Sequence, residues 1–120
     1  MKHFLLSSLA ALGLAALAPQ AGASVSYYLQ SDQAAGDNWT GKLSTYWNTS
    51  PTGEGTSPSA INSGDNFYSN GHLLRTGDIA FAGNVFVSGS NLLLKDSSGG
   101  TSSVGNLTFD GTAGIGNGNA

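Results

Sequence analysis

The chain has no cysteine, three prolines and one methionine, and only four of its 120 residues are Lys or Arg. Without cysteine there is no disulfide framework and no thiolate metal site. The few cations exclude a basic surface. Past residue 23 they are Lys42, Arg75 and Lys95, set against Asp32, Asp37, Glu54, Asp65, Asp78, Asp96 and Asp110, a net charge of −4. Nucleic acid is excluded as a partner, because phosphate contacts need clustered Lys and Arg. An anionic membrane surface is as poor a match. Long straight-chain helix formers are also scarce beyond residue 23. No window there carries apolar residues at the i, i+3, i+4, i+7 spacing of an amphipathic helix.

The one long apolar run lies at the start. Lys2 gives a positive head, and Phe4 to Ala18 is apolar apart from Ser7, Ser8 and Gly13. Pro19 and Gln20 end it, and Ala21-Gly22-Ala23 offers the small-x-small pattern of a cleavage site before Ser24. This is the three-part layout of a secretory signal peptide over residues 1–23. Its apolar core spans about 15 residues, short of the roughly 20 needed to cross a bilayer. The expectation is a cleaved leader with no membrane span afterwards, the alternative being an uncleaved anchor. The product is secreted or held at the cell surface.

The remaining 97 residues fit one small domain. Sixteen are Gly, 15 Ser, 10 Asn and nine Thr, about half of the segment. Gly and Asn supply turns, while Thr, Val, Phe and Tyr suit a pleated surface. The expected class is all-β. Disorder is the competing outcome, but regular apolar triplets oppose it after residue 76.

Three segments follow. Residues 24–48 hold Val25-Ser26-Tyr27-Tyr28-Leu29, a predicted strand, then Trp39, Tyr46 and Trp47. Residues 49–75 read as loop-rich, punctuated by Pro51, Gly53, Gly55, Pro58 and Gly64, with short strands near Asn66–Tyr68 and His72–Leu74. Residues 76–120 repeat. Gly77-Asp78-Ile79-Ala80-Phe81, Gly83-Asn84-Val85-Phe86-Val87, Ser90-Asn91-Leu92-Leu93-Leu94 and Gly105-Asn106-Leu107-Thr108-Phe109 share small, Asp or Asn, apolar, any, apolar. Each reads as a short strand fed by a turn, its first and third apolar side chains on one face. Gly83 and Gly105 lie 22 residues apart, one coil of a parallel β-helix. That spacing sets Val85 over Leu107 and Val87 over Phe109 in an apolar interior shared with Ile79 and Phe81. An antiparallel β-sandwich gives short strands at similar spacing and stays open.

The Trp39…Trp47-Asn48 stretch, the Gly77-Asp78 turn into Ile79–Phe81, and Val104-Gly105-Asn106-Leu107-Thr108-Phe109-Asp110-Gly111 together resemble the N-terminal part of an autotransporter-associated β-strand repeat protein. The resemblance covers residues 39–120, thinly over 49–75. It implies a right-handed parallel β-helix passenger, exported by a Gram-negative bacterium, with no catalytic residues to transfer. No C-terminal translocator barrel follows, and Ile115-Gly116-Asn117-Gly118-Asn119-Ala120 reads as an interrupted repeat. The expectation is therefore a fragment or truncated gene product.

Chemistry-bearing motifs are few. His72 is the one histidine beyond residue 23, with Asp65 and Asp78 its nearest acids in sequence, and no metal-ligand pair surrounds it. There is no Gly-x-Ser-x-Gly elbow and no phosphate-binding loop. Asp65, Asp78, Asp96 and Asp110 sit in turn-like runs, where an Asp commonly bonds its own backbone. No catalytic, cofactor or metal site is expected. Calcium has two thin candidates, Asp65-Asn66 with Asn70, and Asn117 with Asn119. Trp39, Tyr46 and Trp47 admit two roles: a plug for the open end of a strand stack, or a stacking platform for sugar rings. Two function classes follow. One is a non-enzymatic structural or surface protein, adhesive or part of an extracellular matrix. The other is a module that binds or degrades polysaccharide. In both the partner expected is a cell-surface or extracellular polysaccharide.

Overall fold

The computed structural model describes residues 22–77, 80–94 and 103–117. Residues 1–21, with most of the expected leader, lie outside them, as do Asp78, Ile79, Asp96 and Asn119. The regular structure of the described chain is nearly all strand: β1 (Ser26–Leu29), β2 (Trp47–Asn48), β3 (Asn66–Tyr68), β4 (Leu74–Arg75), β5 (Ala80–Val87), β6 (Asn91–Leu94), β7 (Ser103–Phe109) and β8 (Gly114–Asn117). One helical turn, α1 (Leu43–Tyr46), precedes β2.

The strands form two sheets, ordered β2-β1-β3-β5-β7 and β4-β6-β8. From β3 onward the chain alternates between them. All pairings are parallel except β1 with β2. The expected pairing of Val85 with Leu107 and Val87 with Phe109 is found. β3 enters the same ladder one step earlier, with Asn66, Phe67 and Tyr68 opposite Asn84, Val85 and Phe86. The step between equivalent strands is thus 18 residues from Asn66 to Asn84 and 22 from Asn84 to Asn106. The parallel ladder therefore starts at β1 and β3, two strands expected from the sequence but ahead of the repeats at residues 76–120.

Alternation along each strand sets the core. Phe67 lies between half-buried Asn66 and Tyr68 and is fully buried, and β5 alternates the same way through Phe81, Val85 and Val87. Leu74 and Leu92 of the second sheet join them in one cluster, with Leu29, Trp39, Tyr46 and Trp47.

Two expectations are corrected. Gly83-Asn84 and Gly105-Asn106 are not turns feeding separate strands, because both lie inside strands. Residues 80–87 form one strand, with a register irregularity between Phe81 and Asn84. Gly83 is required by close approach, since a Cβ there would stand 2.6 Å from the Phe67 ring. At Gly105 a Cβ would stand 2.8 Å from the Ala82 carbonyl oxygen. The last strands are also less buried than expected. Leu107 is 37% exposed and Ile115 58% exposed, and Phe109 is half-buried. Among the described residues no strand stacks on the far side of β7 or β8, so their apolar rows are covered on one side only.

Candidate functional site

The outer face of the five-stranded sheet carries the most organised surface. β3, β5 and β7 each present Asn at the position before an apolar residue, buried in Phe67 and Val85 and exposed in Leu107, which aligns Asn66, Asn84 and Asn106. Parallel in-register pairing puts identical side chains about 4.8 Å apart, within reach of amide hydrogen bonds. Asn84 Nδ2 donates to Asn66 Oδ1 at 3.1 Å, and Asn106 Nδ2 donates to Asn84 Oδ1 at 2.8 Å. Two residues along β3 and β5 lies an aromatic row on the same face, extended by Tyr28 of β1, while β7 has Thr108 at that position. Tyr28 stacks on Tyr68 at 5.2 Å, and Tyr68 on Phe86 at 4.7 Å, with rings within 18° of parallel. All three are half-buried. An amide row beside an aromatic row gives a flat face with hydrogen-bonding groups and apolar edges.

Neither row was singled out from the sequence. The signal was present: Asn66-Phe67-Tyr68 and Asn84-Val85-Phe86 are both Asn, apolar, aromatic, 18 residues apart. That period differs from the 22 residues between the two Gly-Asn copies.

Trp39, Tyr46 and Trp47 are brought together, and all are buried, at 2%, 6% and 0% exposure. Trp47, on the outermost strand of the sheet, meets the Phe67 ring edge-on at 5.1 Å. Its Nε1 donates to the Trp39 carbonyl at 3.2 Å, and Trp39 packs on Phe81 at 4.9 Å. The Tyr46 hydroxyl donates to Asp37 Oδ2 and accepts from the Ala34 N–H at 3.2 Å. Lys42 pairs with the same Asp37 at 2.9 Å, and its ammonium is held above the usual lysine range by that hydrogen bond and charge. Rings so enclosed offer no face to a sugar; they are part of the core cluster.

Among the described residues His72 Nδ1 lies 3.5 Å from Asp32 Oδ1. Asp32 Oδ1 also accepts from the Leu73 N–H at 2.7 Å, an arrangement that fixes a loop. Asp110 behaves as a turn Asp should. It accepts from the Thr112 hydroxyl at 2.6 Å and the Thr112 N–H at 2.9 Å, and these bonds hold its carboxyl below the usual range. Asp65 instead bonds far along the chain, to the Val25 N–H at 3.0 Å.

The calcium candidate around Asp65 lacks an oxygen set. Asn66 Oδ1 is engaged by Asn84, and Asn70 turns its amide nitrogen to the Leu29 and Pro51 carbonyls. The second candidate includes Asn119, which lies outside the described residues. Among the described residues no three His, Cys, Asp or Glu side chains gather as metal ligands. Of the cleavage residues, Ala21 lies outside the described residues, while Ala23 and Ser24 are exposed, without helix or strand. No described helix is long and apolar enough to cross a membrane.

No family model matches the chain, and no curated protein and no solved structure matches it.

Proposed function

We propose that this chain is an exported, non-enzymatic structural or surface protein, built as the start of a right-handed parallel β-helix of the autotransporter-passenger kind. The observation that carries the reading is the register: equivalent strands lie parallel at steps of 18 and 22 residues, with matched Asn and aromatic rows outside and matched apolar rows inside. In this reading the two sheets are two walls of one coil. Trp47 and Trp39 close its first turn, and the outer Asn and aromatic rows face the surroundings. That face suits contact with an extracellular polysaccharide, whose hydroxyls match amide groups and whose ring faces match aromatic edges.

The second reading, a carbohydrate-binding module, draws support from the Tyr28–Tyr68–Phe86 row and uses the same face. Hydrolysis of a glycosidic bond commonly uses two carboxyl groups across one cleft. Asp32, Asp37, Asp65 and Asp110 each have a separate partner instead.

The test is expression of the full chain in a Gram-negative host, followed by fractionation and incubation with extracellular polysaccharide. The reading expects protein beginning at Ser24 outside the inner membrane, and no release of reducing sugar. Retention in the cytoplasm with residues 1–23 attached, or polysaccharide cleavage by the pure protein, contradicts it.

A further inference from the structure

Asp65 is a buried acid that neither the core nor the outer face employs. The residue is 5% exposed. Its Oδ2 accepts from the Asn62 amide at 3.1 Å and its Oδ1 from the Val25 N–H at 3.0 Å, 40 residues earlier. The Val25 carbonyl accepts in turn from the Asn66 N–H at 2.8 Å, so residue 25 is held from both sides. These groups border a surface hollow of about 400 Å³ walled by residues 22–25 and 62–65. No Lys, Arg or His is among its walls. The carboxylate's field reaches β1, because burial and then the Asp65 charge raise the Tyr27 phenol above its ordinary value.

A buried carboxylate calls for a cation or several donors, and here both donors are neutral. The expected cleavage after Ala23 changes this, because it turns the Ser24 amide into an ammonium group. Three backbone bonds totalling about 4.3 Å join consecutive nitrogens, so the Ser24 nitrogen lies within about 7 Å of Asp65 Oδ1. A free end can swing closer.

We propose that Asp65 is the receptor for the processed N-terminus: leader removal creates a Ser24 ammonium that pairs with the Asp65 carboxylate in this hollow and fastens β1 to β3. The inference rests on the leader reading. It adds an ion pair to the β1–β3 pairing only after processing, since the precursor carries a neutral amide at that position.

The pairing has a defined pH signature. Asp65 is the titratable group lining the hollow, with the Tyr27 phenol within reach of its charge; Asn62, Ser63 and Gly64 do not titrate. Pairing raises the folded amine's pKa above its unfolded value of about 7.7–8.0. The added stability is complete below that unfolded value and disappears as pH rises through the folded one.

The experiment uses residues 24–120 with a free Ser24 amine, the same chain Nα-acetylated, and both forms carrying Asp65→Asn. The folded free amine should titrate by NMR about one unit above its ordinary value. Acetylation should raise the unfolding equilibrium constant about tenfold at pH 7, since one unit corresponds to a factor of ten. Asp65→Asn should remove both effects. An amine that titrates at its ordinary value, with acetylation neutral, overturns the proposal. If Asp65→Asn fails to fold, the amine titration and the acetylated pair on the unsubstituted chain decide. The first residue of the exported protein tests the leader reading separately, so the two failures are distinguishable.

Discussion

Phe67→Ala is the sharpest perturbation of the core. Phe67 is 0% exposed and its ring meets three others: Tyr27 at 5.1 Å, Trp47 at 5.1 Å and Phe81 at 4.7 Å. The glycine at 83 sits against the same ring, so no side chain there can move in to fill a void. Truncating a buried Phe costs about 3–5 kcal/mol when the site cannot collapse. That corresponds to a rise of about a hundred- to several-thousand-fold in the unfolding equilibrium constant, a large share of a small domain's stability. Phe109, one strand further on, is half-buried on an open row, so Phe109→Ala should cost about 1–2 kcal/mol, less than full burial implies. Urea denaturation followed by tryptophan fluorescence measures both, the change appearing in the midpoint at constant slope. Phe67→Ala costing under about 1 kcal/mol, or Phe109→Ala costing as much as Phe67→Ala, refutes the described core.

Other consequences are equally direct. Gly83→Ala forces a methyl group against the Phe67 ring and Gly105→Ala forces one against the Ala82 carbonyl; each should lower stability by about 1–3 kcal/mol in the same urea assay. Asn84→Ala removes two amide bonds of the outer row and Asn106→Ala one. At about 0.5–1.5 kcal/mol per bond, the first should cost about twice the second by thermal denaturation. Trp39 and Trp47 should emit at short wavelength and resist acrylamide, and added polysaccharide should leave that quenching unchanged. Asp110 has a folded pKa below its unfolded one, so its turn is stabilised above the unfolded value and released as pH falls through the folded one. NMR titration should place its midpoint below the ordinary 3.8, and a midpoint at or above 3.8 counts against the Thr112 bonds.

The sequence revealed the strands better than their neighbours. Apolar triplets such as Val85-Phe86-Val87 mark a strand and its inner face through a period of two. The 22-residue spacing of the Gly-Asn copies paired β5 with β7 correctly. The 18-residue step is hidden because Asn66–Tyr68, though legible as a short strand, lacks the Gly before Asn that marks the copies at Gly83 and Gly105. Gly83 looked like a turn because a glycine forced by a neighbouring ring and one forced by backbone bending are alike in sequence. The single turn at Leu43–Tyr46 is too short to leave a helical period. Exposure of Leu107 and Ile115 was equally hidden, since alternation reports which face a residue occupies and not whether another strand covers it. The bond between Asp65 and Val25 spans 40 residues, a distance at which local pattern carries no information.

The register of the parallel ladder underlies the fold, the outer rows and the proposed role together. This chain's lack of cysteine allows a clean test of it. Asn84→Cys with Asn106→Cys puts two thiols on one face of adjacent parallel strands, at the strand spacing of about 4.8 Å. That separation falls within the 4.4–6.8 Å that a disulfide spans. Asn66→Cys with Asn84→Cys tests the 18-residue step in the same way. Both pairs should close on mild oxidation of the folded protein, as read by a gel-mobility shift and mass, while Asn66→Cys with Asn106→Cys, two strands apart, should stay open. Failure of both adjacent pairs to close in well-folded protein, or efficient closure of the Asn66/Asn106 pair, contradicts the stacked register.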